Sequence, residues 1–439
     1  MIQNKRSDFF RNVLILFSGS FLSQLIPFIV LPILQRYYFS PADFGLLAVF
    51  VYFSELFAKV ATLKLEFGIV IEKTIKNAIN LMYGALRISW VMVLISLIVV
   101  LFFRYDITYY FEAPKLANYL FLLPIYILVT SFSDVSNYWF NRGKQFEVIS
   151  YSKIIQRSSA EGVKLLTGAL SFSFVGLIIG RIVGFTVVSL YYFKKFWQYD
   201  RSSLRLLNRK HSNKMIKKNR KFIFYTTPSV FIGSLINLVY INLFLMYFGK
   251  DIVGMIGVSM TYLSAGFGVI SVSFSQVFYS KLAEVKDKVI MLAMYKRFAR
   301  NLFALALVPI ICVYVTPSTW VVKVLGEKWV DLMEIARIMV WWLAIWFVSS
   351  SLSFIYIRLG RQKEMVLFDL LHLILIFISF FVAIWIKNDF ISALWGFTIG
   401  QSLYYLFAIY IAIFYIKKFD EIKKNEQTMK LIQRNDSFI

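Results

Sequence analysis

Long apolar stretches alternate along the chain with short polar segments that are mostly basic. A helix needs about 20 apolar residues to cross the hydrocarbon core of a bilayer. The windows that approach this length are 12–34, 42–63, 80–103, 116–139, 149–170, 174–196, 222–248, 254–279, 299–316, 331–357, 365–386 and 391–416. The pattern predicts an all-α, polytopic membrane protein with about twelve transmembrane helices.

The fifth window is the least apolar of the set. It holds four charged residues, which are Lys153, Arg157, Glu161 and Lys164. We retain it as a span because its omission would reverse the side of the membrane on which every later connection lies.

Composition and charge support a membrane protein. Hydrophobic residues make up 59% of the chain and charged residues 16%, against about 25% charged in a soluble domain. The net charge of +24 would point to nucleic acid in a soluble protein. With the N-terminus inside, however, the inside segments hold 34 Lys or Arg and the outside connections hold seven. This asymmetry predicts that both termini are cytoplasmic and removes the argument for a nucleic-acid partner.

The largest polar connection spans 198–221 and holds nine Lys or Arg from Arg201 onward against one acid, Asp200. It divides the windows into an N-terminal six-helix lobe, 1–197, and a C-terminal six-helix lobe, 222–416, with a cytoplasmic tail at 417–439. We expect this linker to lie against anionic lipid headgroups.

A short internal similarity accompanies this division. The segments Tyr38–Gly45 and Tyr247–Gly254 both carry Tyr-Phe, then five residues, then a Gly that opens the next helix. They occupy matching places in the two halves, as internal repeats do. Parallel repeats predict two lobes around a central cavity, with alternating access by rocking of one lobe against the other.

Basic residues inside the predicted spans are the first candidates for a site. A charge at the bilayer centre costs about 2.5–3.5 kcal/mol on insertion scales, so such residues usually face a protein interior or a watery cavity. These residues are Lys59, Arg87, Lys153, Arg157, Lys164, Arg181 and Arg337. Six of the seven lie in the first half, which predicts a cationic cavity that attracts an anion.

The predicted substrate-binding residues are Arg87, Arg157, Lys164, Arg181, Lys59 and Lys153. Arg binds phosphate oxygens with two hydrogen bonds and Lys acts as a point charge, so a lipid diphosphate fits this cavity. Lys59 has Glu55 one turn earlier and Arg157 has Glu161 one turn later, so local pairs are the alternative at these positions. Lys164 and Arg87 have no obvious local acid.

Acidic residues in the spans are candidates for coupling to protons or sodium. Asp134 lies near Asn137, and Asp369 lies three residues before His372. The alternative is that each is part of a satisfied polar pair between helices. Both interpretations stay open at this point.

The residues for bond chemistry or metal binding are sparse. The chain has one cysteine, Cys312, and two histidines in different segments, His211 and His372. It has no Gly-rich phosphate loop and no nucleophile elbow. We therefore expect no metal, no cofactor and no enzymatic activity.

Several segments resemble the bacterial polysaccharide transporter family, which contains the oligosaccharide flippases of the multidrug/oligosaccharidyl-lipid/polysaccharide flippase superfamily. Leu31–Gly45 looks like that family's first loop, and Leu63–Val70 looks like the stretch after its second helix, with Leu65-Glu66 in place of the more usual Tyr-Glu. Gly326-Glu327-Lys328-Trp329 resembles its short Gly-Glu-x-Trp element, and Arg361-Gln362 follows at a similar place.

This resemblance implies a twelve-helix, two-lobed fold in the bacterial inner membrane. It further implies export of undecaprenyl-diphosphate-linked oligosaccharides for O-antigen lipopolysaccharide, capsule or related polymers. Membrane lipids, a polymerase and a chain-length regulator of the same pathway are then candidate partners. The family has no invariant catalytic residues to transfer, so the site residues rest on their positions alone.

Two other functions remain as alternatives. A drug or small-molecule antiporter of the same superfamily would have acids in excess over cations in its cavity. A polysaccharide polymerase or ligase would need a sizeable outside loop with reactive groups, whereas the longest outside loop here covers about 317–330.

Overall fold

The computed structural model of the chain describes residues 2–285 and 287–418. Within these residues the secondary structure is helical and contains no strand. The α-helices are α1 (Ile2–Ile33), α2 (Pro41–Ala58), α3 (Glu66–Ile71), α4 (Ile75–Tyr110), α5 (Leu122–Arg142), α6 (Phe146–Ala169), α7 (Phe174–Tyr199), α8 (Arg209–Lys218), α9 (Thr227–Glu284), α10 (Lys288–Val315), α11 (Ser318–Leu325), α12 (Leu332–Ser351), α13 (Phe354–Arg358), α14 (Gln362–Ile386) and α15 (Phe390–Lys417). The predicted all-α class is confirmed.

Ten helical segments in the described chain are long and apolar enough to cross a membrane. One of them, Phe222–Gly268, has 47 residues, about twice the length that one crossing needs. It contains Gly249, whose φ of 79° and ψ of 176° interrupt the helical geometry of α9. α6 is not among the ten segments. The protein is therefore a multi-pass membrane protein, and the count of twelve spans stays a prediction.

The chain forms two compact units. The first unit runs from the N-terminal end to Tyr262 and includes Pro317–Ile335. The second unit comprises Leu263–Thr316 and the chain from Ala336 onward. The predicted division into six-helix lobes on either side of 198–221 stays a prediction, and most of the predicted tail, 417–439, lies outside the described residues.

A polar anchor fixes the start of α2 and of α7 in the first unit. Ser40 caps α2 by accepting a hydrogen bond from the Asp43 backbone, while the Ser40 backbone donates to the Asp43 carboxylate at 2.9 Å. This reciprocal arrangement satisfies two backbone donors at the helix end. The other Asp43 oxygen accepts from the backbone of Phe174, the first residue of α7, at 3.1 Å. α2 and α7 therefore start from one shared carboxylate.

The two segments of the internal similarity pack against each other. A Cβ at Gly45 would lie 2.0 Å from the Lys250 carbonyl oxygen, and a Cβ at Gly254 would lie 1.8 Å from the Pro41 carbonyl oxygen. The two contacts are equivalent, because Gly254 follows Gly45 and Lys250 follows Pro41 by the same 209 residues, the offset between the two similar segments. Glycine is required at both places because any side chain would meet backbone.

Two segments that carry the family resemblance are also in contact. Trp329 is fully buried and donates from its indole nitrogen to the Gln35 carbonyl at 3.2 Å. Its ring lies edge-on to Phe44, with 5.5 Å between centroids. The Gly-Glu-x-Trp element therefore closes over the first loop.

The second and third windows differ from the helices that form. α2 ends at Ala58, not at 63, and the backbone turns through Leu63 and Lys64 with φ of 50° and 55°. The Lys64 ammonium and the Glu66 carboxylate form an ion pair at 3.3 Å, and both side chains are buried. Left-handed backbone at two successive residues is incompatible with a continuing helix. α4 runs from Ile75 to Tyr110, well beyond the predicted 80–103.

In the second unit, helices pack through aromatic rings and small polar groups. Phe267 of α9 lies 5.3 Å from Phe347 of α12, centroid to centroid. Nearby, the buried hydroxyls of Ser271 and Ser351 lie 2.8 Å apart. Such pairing satisfies polar groups that lipid cannot.

Candidate functional site: a charged cavity in the first unit

A cavity of about 260 Å³ lies among five helices of the first unit. Its lining comprises Pro27 and Leu31 from α1, Phe44, Leu47, Ala48, Val51, Tyr52 and Glu55 from α2, Arg157, Glu161 and Lys164 from α6, Arg181 from α7, and Gly257, Val258 and Thr261 from α9. Five of these side chains carry charge, which is rare inside a membrane protein and typical of a functional cavity.

Helical periodicity brings the charges of α6 together. Arg157, Glu161 and Lys164 are spaced i, i+4 and i+7, so they share one face of the helix. That face lines the cavity. The low hydropathy that made the fifth window weak therefore comes from residues that face protein and not lipid.

A run of glycines on α7 allows α6 to come close. Gly176, Gly180 and Gly184 lie four residues apart, as in the small-xxx-small pattern of closely packed membrane helices. A Cβ at Gly180 would lie 2.5 Å from Lys164 Cγ and 2.8 Å from the Ala160 carbonyl oxygen. This approach places Lys164 beside α7, one residue before Arg181. The repeated Gly spacing is visible in the sequence and is the signal from which this helix contact could have been predicted.

Arg181 is held by two partners from other helices. Its Nη2 lies 2.8 Å from Glu55 Oε1 on α2, and its Nε and Nη2 both donate to the Tyr126 hydroxyl of α5 at 3.2 Å. Tyr126 is buried, whereas the Arg181 side chain is 30% exposed and that of Glu55 26%. Glu55 forms its ion pair with Arg181 of α7 and not with Lys59 of its own helix, although Lys59 lies within electrostatic range of Glu55.

Lys164 forms an ion pair with Glu161 on its own helix, with 2.7 Å between Nζ and Oε1. The expectation that Lys164 lacks a local acid is therefore wrong, since the partner lies at i−3. The Glu161 side chain is only 3% exposed. Its second oxygen, Oε2, is buried and accepts no hydrogen bond from any described residue.

Arg157 differs from the other two cations of the cavity. Among the described residues it has no carboxylate within ion-pair distance and no hydrogen-bond partner, so the expected pair with Glu161 does not form. The lining thus holds three cations and two carboxylates. The expected strongly cationic cavity is corrected to a mixed one with a single excess positive charge, which resides at Arg157.

Arg87 lies outside this cavity, so its expected convergence with Arg157, Lys164 and Arg181 is wrong. It donates to Asn213 of α8 at 3.2 Å, and its guanidinium lies 5.5 Å from the Tyr83 ring centroid. α8 packs against α4 at Gly84, so Arg87, one turn further along α4, meets α8. Arg87 is therefore a neighbour of the basic linker.

Lys153 and Lys59 also lie outside the cavity lining. The Lys153 ammonium donates to the Ser20 hydroxyl of α1 at 2.7 Å. Lys59 is exposed at the end of α2, within electrostatic range of Glu55 and Asp134. A direct substrate contact by either lysine stays a prediction.

The residues proposed for ion coupling lie in two different places. Asp134 of α5 is in the first unit, within electrostatic range of Lys59 and Lys64. His372 of α14 lies in the second unit, where its ring stacks on Tyr404 with centroids 3.7 Å apart and its Nε2 lies 2.8 Å from the Gln401 side-chain oxygen. Asp369 accepts from the Tyr404 hydroxyl at 3.4 Å.

Asp369 and His372 therefore take part in polar contacts between α14 and α15, as the alternative interpretation anticipated. Their role in coupling stays a prediction, as does that of Asp134.

Comparison with solved structures identifies the fold. An inward-facing multidrug resistance MATE family transporter of the MOP superfamily superposes with a TM-score of 0.68 at 14% identity, covering 92% of this chain and 94% of the other. The lipid II flippase MurJ in an inward closed conformation gives 0.67 at 17% identity, covering 97% and 93%. An outward-facing MATE transporter gives 0.66 at 12% identity, covering 93% and 96%. At these identities the likeness shows a shared fold.

The sequence comparisons identify the family. No curated protein sequence matches the chain. Residues 33–334, well over half of the chain, match the sequence profile of the family described as "Polysaccharide biosynthesis protein". The protein therefore belongs to this family, which agrees with the resemblance to polysaccharide transporters found in the sequence.

Proposed function

We propose that this protein is a flippase that moves undecaprenyl-diphosphate-linked oligosaccharides from the cytoplasmic to the outer leaflet of the bacterial inner membrane. The product would supply O-antigen, capsule or another surface polysaccharide. Family membership, the fold shared with a lipid II flippase and the charged cavity support the proposal. The observation that carries it is Arg157, a cation of the cavity without an ion pair in the described chain.

Arg157 is suited to receive a phosphate because its guanidinium offers a planar set of N–H donors. Arg181 can contribute a second contact: Tyr126 and Glu55 occupy its Nε and Nη2, whereas its Nη1 donates to no other described residue. These partners fix the orientation of the Arg181 guanidinium group before a ligand binds, which lowers the entropic cost of binding.

The size of the cavity limits what it takes. About 260 Å³ is below the 300–1,000 Å³ typical of pockets for drug-sized ligands. The cavity therefore suits the phosphate end of the headgroup and the sugar attached to it, not a whole oligosaccharide. In this proposal the lipid tail stays in the bilayer.

A transport assay with two matched arginine variants tests the proposal. A strain lacking this gene should accumulate lipid-linked repeat units on the cytoplasmic leaflet, and the wild-type chain should relieve the accumulation. Arg157→Gln should reduce the flux by about tenfold or more, the effect of one lost hydrogen bond to a charged group. Arg87→Gln, which removes an arginine outside the cavity, is the control and should keep near-normal flux.

Two outcomes would contradict the proposal. One is arrival of repeat units at the outer leaflet at a normal rate without this protein. The other is equal flux in the Arg157 and Arg87 variants at equal protein levels.

A drug antiporter is the second candidate, because solved MATE transporters share the fold. The excess of cations over carboxylates in the cavity is opposite to what a cationic drug needs. Measurement of drug susceptibility on overexpression separates the two functions. The flippase proposal predicts no change.

A further inference from the structure

The geometry of the cavity points to a second recognition element, at Glu161. We propose that the free oxygen of Glu161 accepts a hydrogen bond from the hydroxyl or amide N–H on the sugar carbon next to the phosphate-bearing carbon. This inference rests on the proposed function, since it assigns a specificity-determining residue to the same site.

One of the two carboxylate oxygens of Glu161 lacks a hydrogen-bond donor in the described part of the chain. Glu161 Oε1 accepts from Lys164 at 2.7 Å, whereas Oε2 is buried and has no donor among the described residues. A buried acceptor without a partner is costly, and the cost is larger when the group is charged. Because Glu161 lines the cavity, a molecule inside the cavity can supply the missing donor.

The neighbouring charges restrict what that molecule is. Lys164 is bonded to the same carboxylate, and Arg157 lies one turn away on the same helix face. Two cations at this distance repel a bound metal ion or an organic cation. A neutral hydrogen-bond donor is not repelled, so a hydroxyl or an amide is the group that fits Oε2.

The spacing joins this donor to the phosphate. Side chains at i and i+4 of a helix are neighbours about 5–6 Å apart at Cβ. A ligand that reaches both must carry an anionic group for Arg157 and a donor a few ångströms away for Glu161. A sugar 1-phosphate has this arrangement, with the phosphate on C1 and a hydroxyl or acylamino group on C2.

Soluble headgroup analogues test the inference on the purified full-length protein in nanodiscs. Affinities of glucose 1-phosphate and N-acetylglucosamine 1-phosphate would be compared with that of 2-deoxy-2-fluoroglucose 1-phosphate, which is similar in size but lacks the C2 donor. The first two should bind about tenfold tighter than the fluoro analogue, the effect of one hydrogen bond to a charged group. Inorganic phosphate controls for the anion alone.

Two variants then separate the contributions. Glu161→Gln should bring the ratio of affinities close to one, because it removes the charge that strengthens the bond. Arg157→Gln should weaken all three sugar phosphates alike and leave the ratio unchanged. The wild-type comparison decides the question even if Glu161→Gln fails to fold.

Each result has a definite meaning. Equal affinity of wild type for all three sugar phosphates overturns the role of Glu161 while leaving the phosphate site intact; water alone would then satisfy Oε2. Binding of none of the phosphates overturns this inference together with the proposed use of the cavity.

Discussion

Two helix pairs of the chain are built alike but use their polar residues differently. In α6–α7, glycines at 176, 180 and 184 allow close approach, and in α14–α15 Gly396 and Gly400 do the same against Ala383 and Ser379. These pairs are the fifth and sixth and the eleventh and twelfth predicted spans, so they occupy matching places in the two halves.

The polar residues of the first pair face a cavity, and those of the second face each other. Arg157, Glu161 and Lys164 line open space with one cation and one carboxylate oxygen left unpaired among the described residues. His372 instead is enclosed by the Tyr404 ring and the Gln401 amide. The first pair therefore leaves polar groups that a ligand can bind, whereas His372 makes its polar contacts within the second pair.

The largest expected effect comes from breaking the ion pair between Glu161 and Lys164 in the first helix pair. Glu161→Leu removes the carboxylate and leaves Lys164 uncompensated in a largely buried position. We expect a loss of about 3 kcal/mol in the free energy of unfolding, at the low end of the range for such changes because Lys164 borders the cavity. The double variant Glu161→Leu/Lys164→Met should recover most of this loss. Denaturant titration in mixed micelles measures both.

An equal loss in the single and double variants would mean that the site depends on packing and not on charge.

The next effect concerns the glycine contact that brings α6 to α7. Gly180→Leu places a side chain against the Ala160 carbonyl and Lys164, so overpacking should cost about 2 kcal/mol. Gly162→Leu on α6 is the control, because no described atom beyond its chain neighbours and the backbone of its own helix lies within 4 Å of the added carbon there. Thermal unfolding in detergent should show a lower Tm for the first variant alone. Similar Tm values for both would show that close approach of the helices is unnecessary.

These contacts indicate how far the sequence could be interpreted. Apolar window length placed the helices along the chain and predicted both ends of α6, α7, α14 and α15 within a few residues, because the bilayer demands length and hydrophobicity wherever the segment packs. Helix pairings were not predictable in this way. The i,i+4 spacing offered Lys59 as a partner for Glu55, but the ion pair of Glu55 is with Arg181, 126 residues away. Long-range partners depend on which helices the fold brings together.

Local backbone geometry was the other feature that the sequence did not predict. α2 ends at Ala58, five residues before the predicted end at 63, and the chain then turns through Leu63 and Lys64, which adopt left-handed conformations although neither is glycine. Nothing in their residue types signals this conformation. The buried Lys64–Glu66 pair that follows was assigned to a polar connection for the same reason.

A smaller effect is expected at His372, the enclosed histidine of the second helix pair. His372→Leu removes the hydrogen bond to Gln401 and leaves that amide without its partner. We expect the free energy of unfolding to fall by about 1 kcal/mol, with transport per folded molecule unchanged. Denaturant titration measures the change in stability, and transport normalised to folded protein measures the function. Loss of transport at normal stability would give His372 a role in coupling and remove the contrast between the two pairs.

The smallest expected effect lies outside the spans, where Glu72, at the end of α3, accepts hydrogen bonds from Lys218 and Asn219 of the basic linker. Burial raises the pKa of Glu72, but hydrogen bonds from Lys218, Asn219 and Asn77, together with the charge of Lys218, outweigh it and hold the pKa below its ordinary 4.5. A carboxylate whose pKa is lower in the folded than in the unfolded protein contributes to stability above pH 4.5. This contribution is lost as the pH falls through the pKa of the folded protein.

Glu72→Gln should therefore lower stability at neutral pH by no more than about 1 kcal/mol, because the Lys218 side chain is more than half exposed to solvent. The difference in stability between wild type and variant should stay constant above pH 5 and disappear as the pH falls below 4.5. Glu147→Gln, at an exposed carboxylate in the first turn of α6, is the control and should produce no such difference. Tm measured across this pH range distinguishes the two variants, and a difference that persists in acid would show that Glu72 acts through its shape and not through its charge.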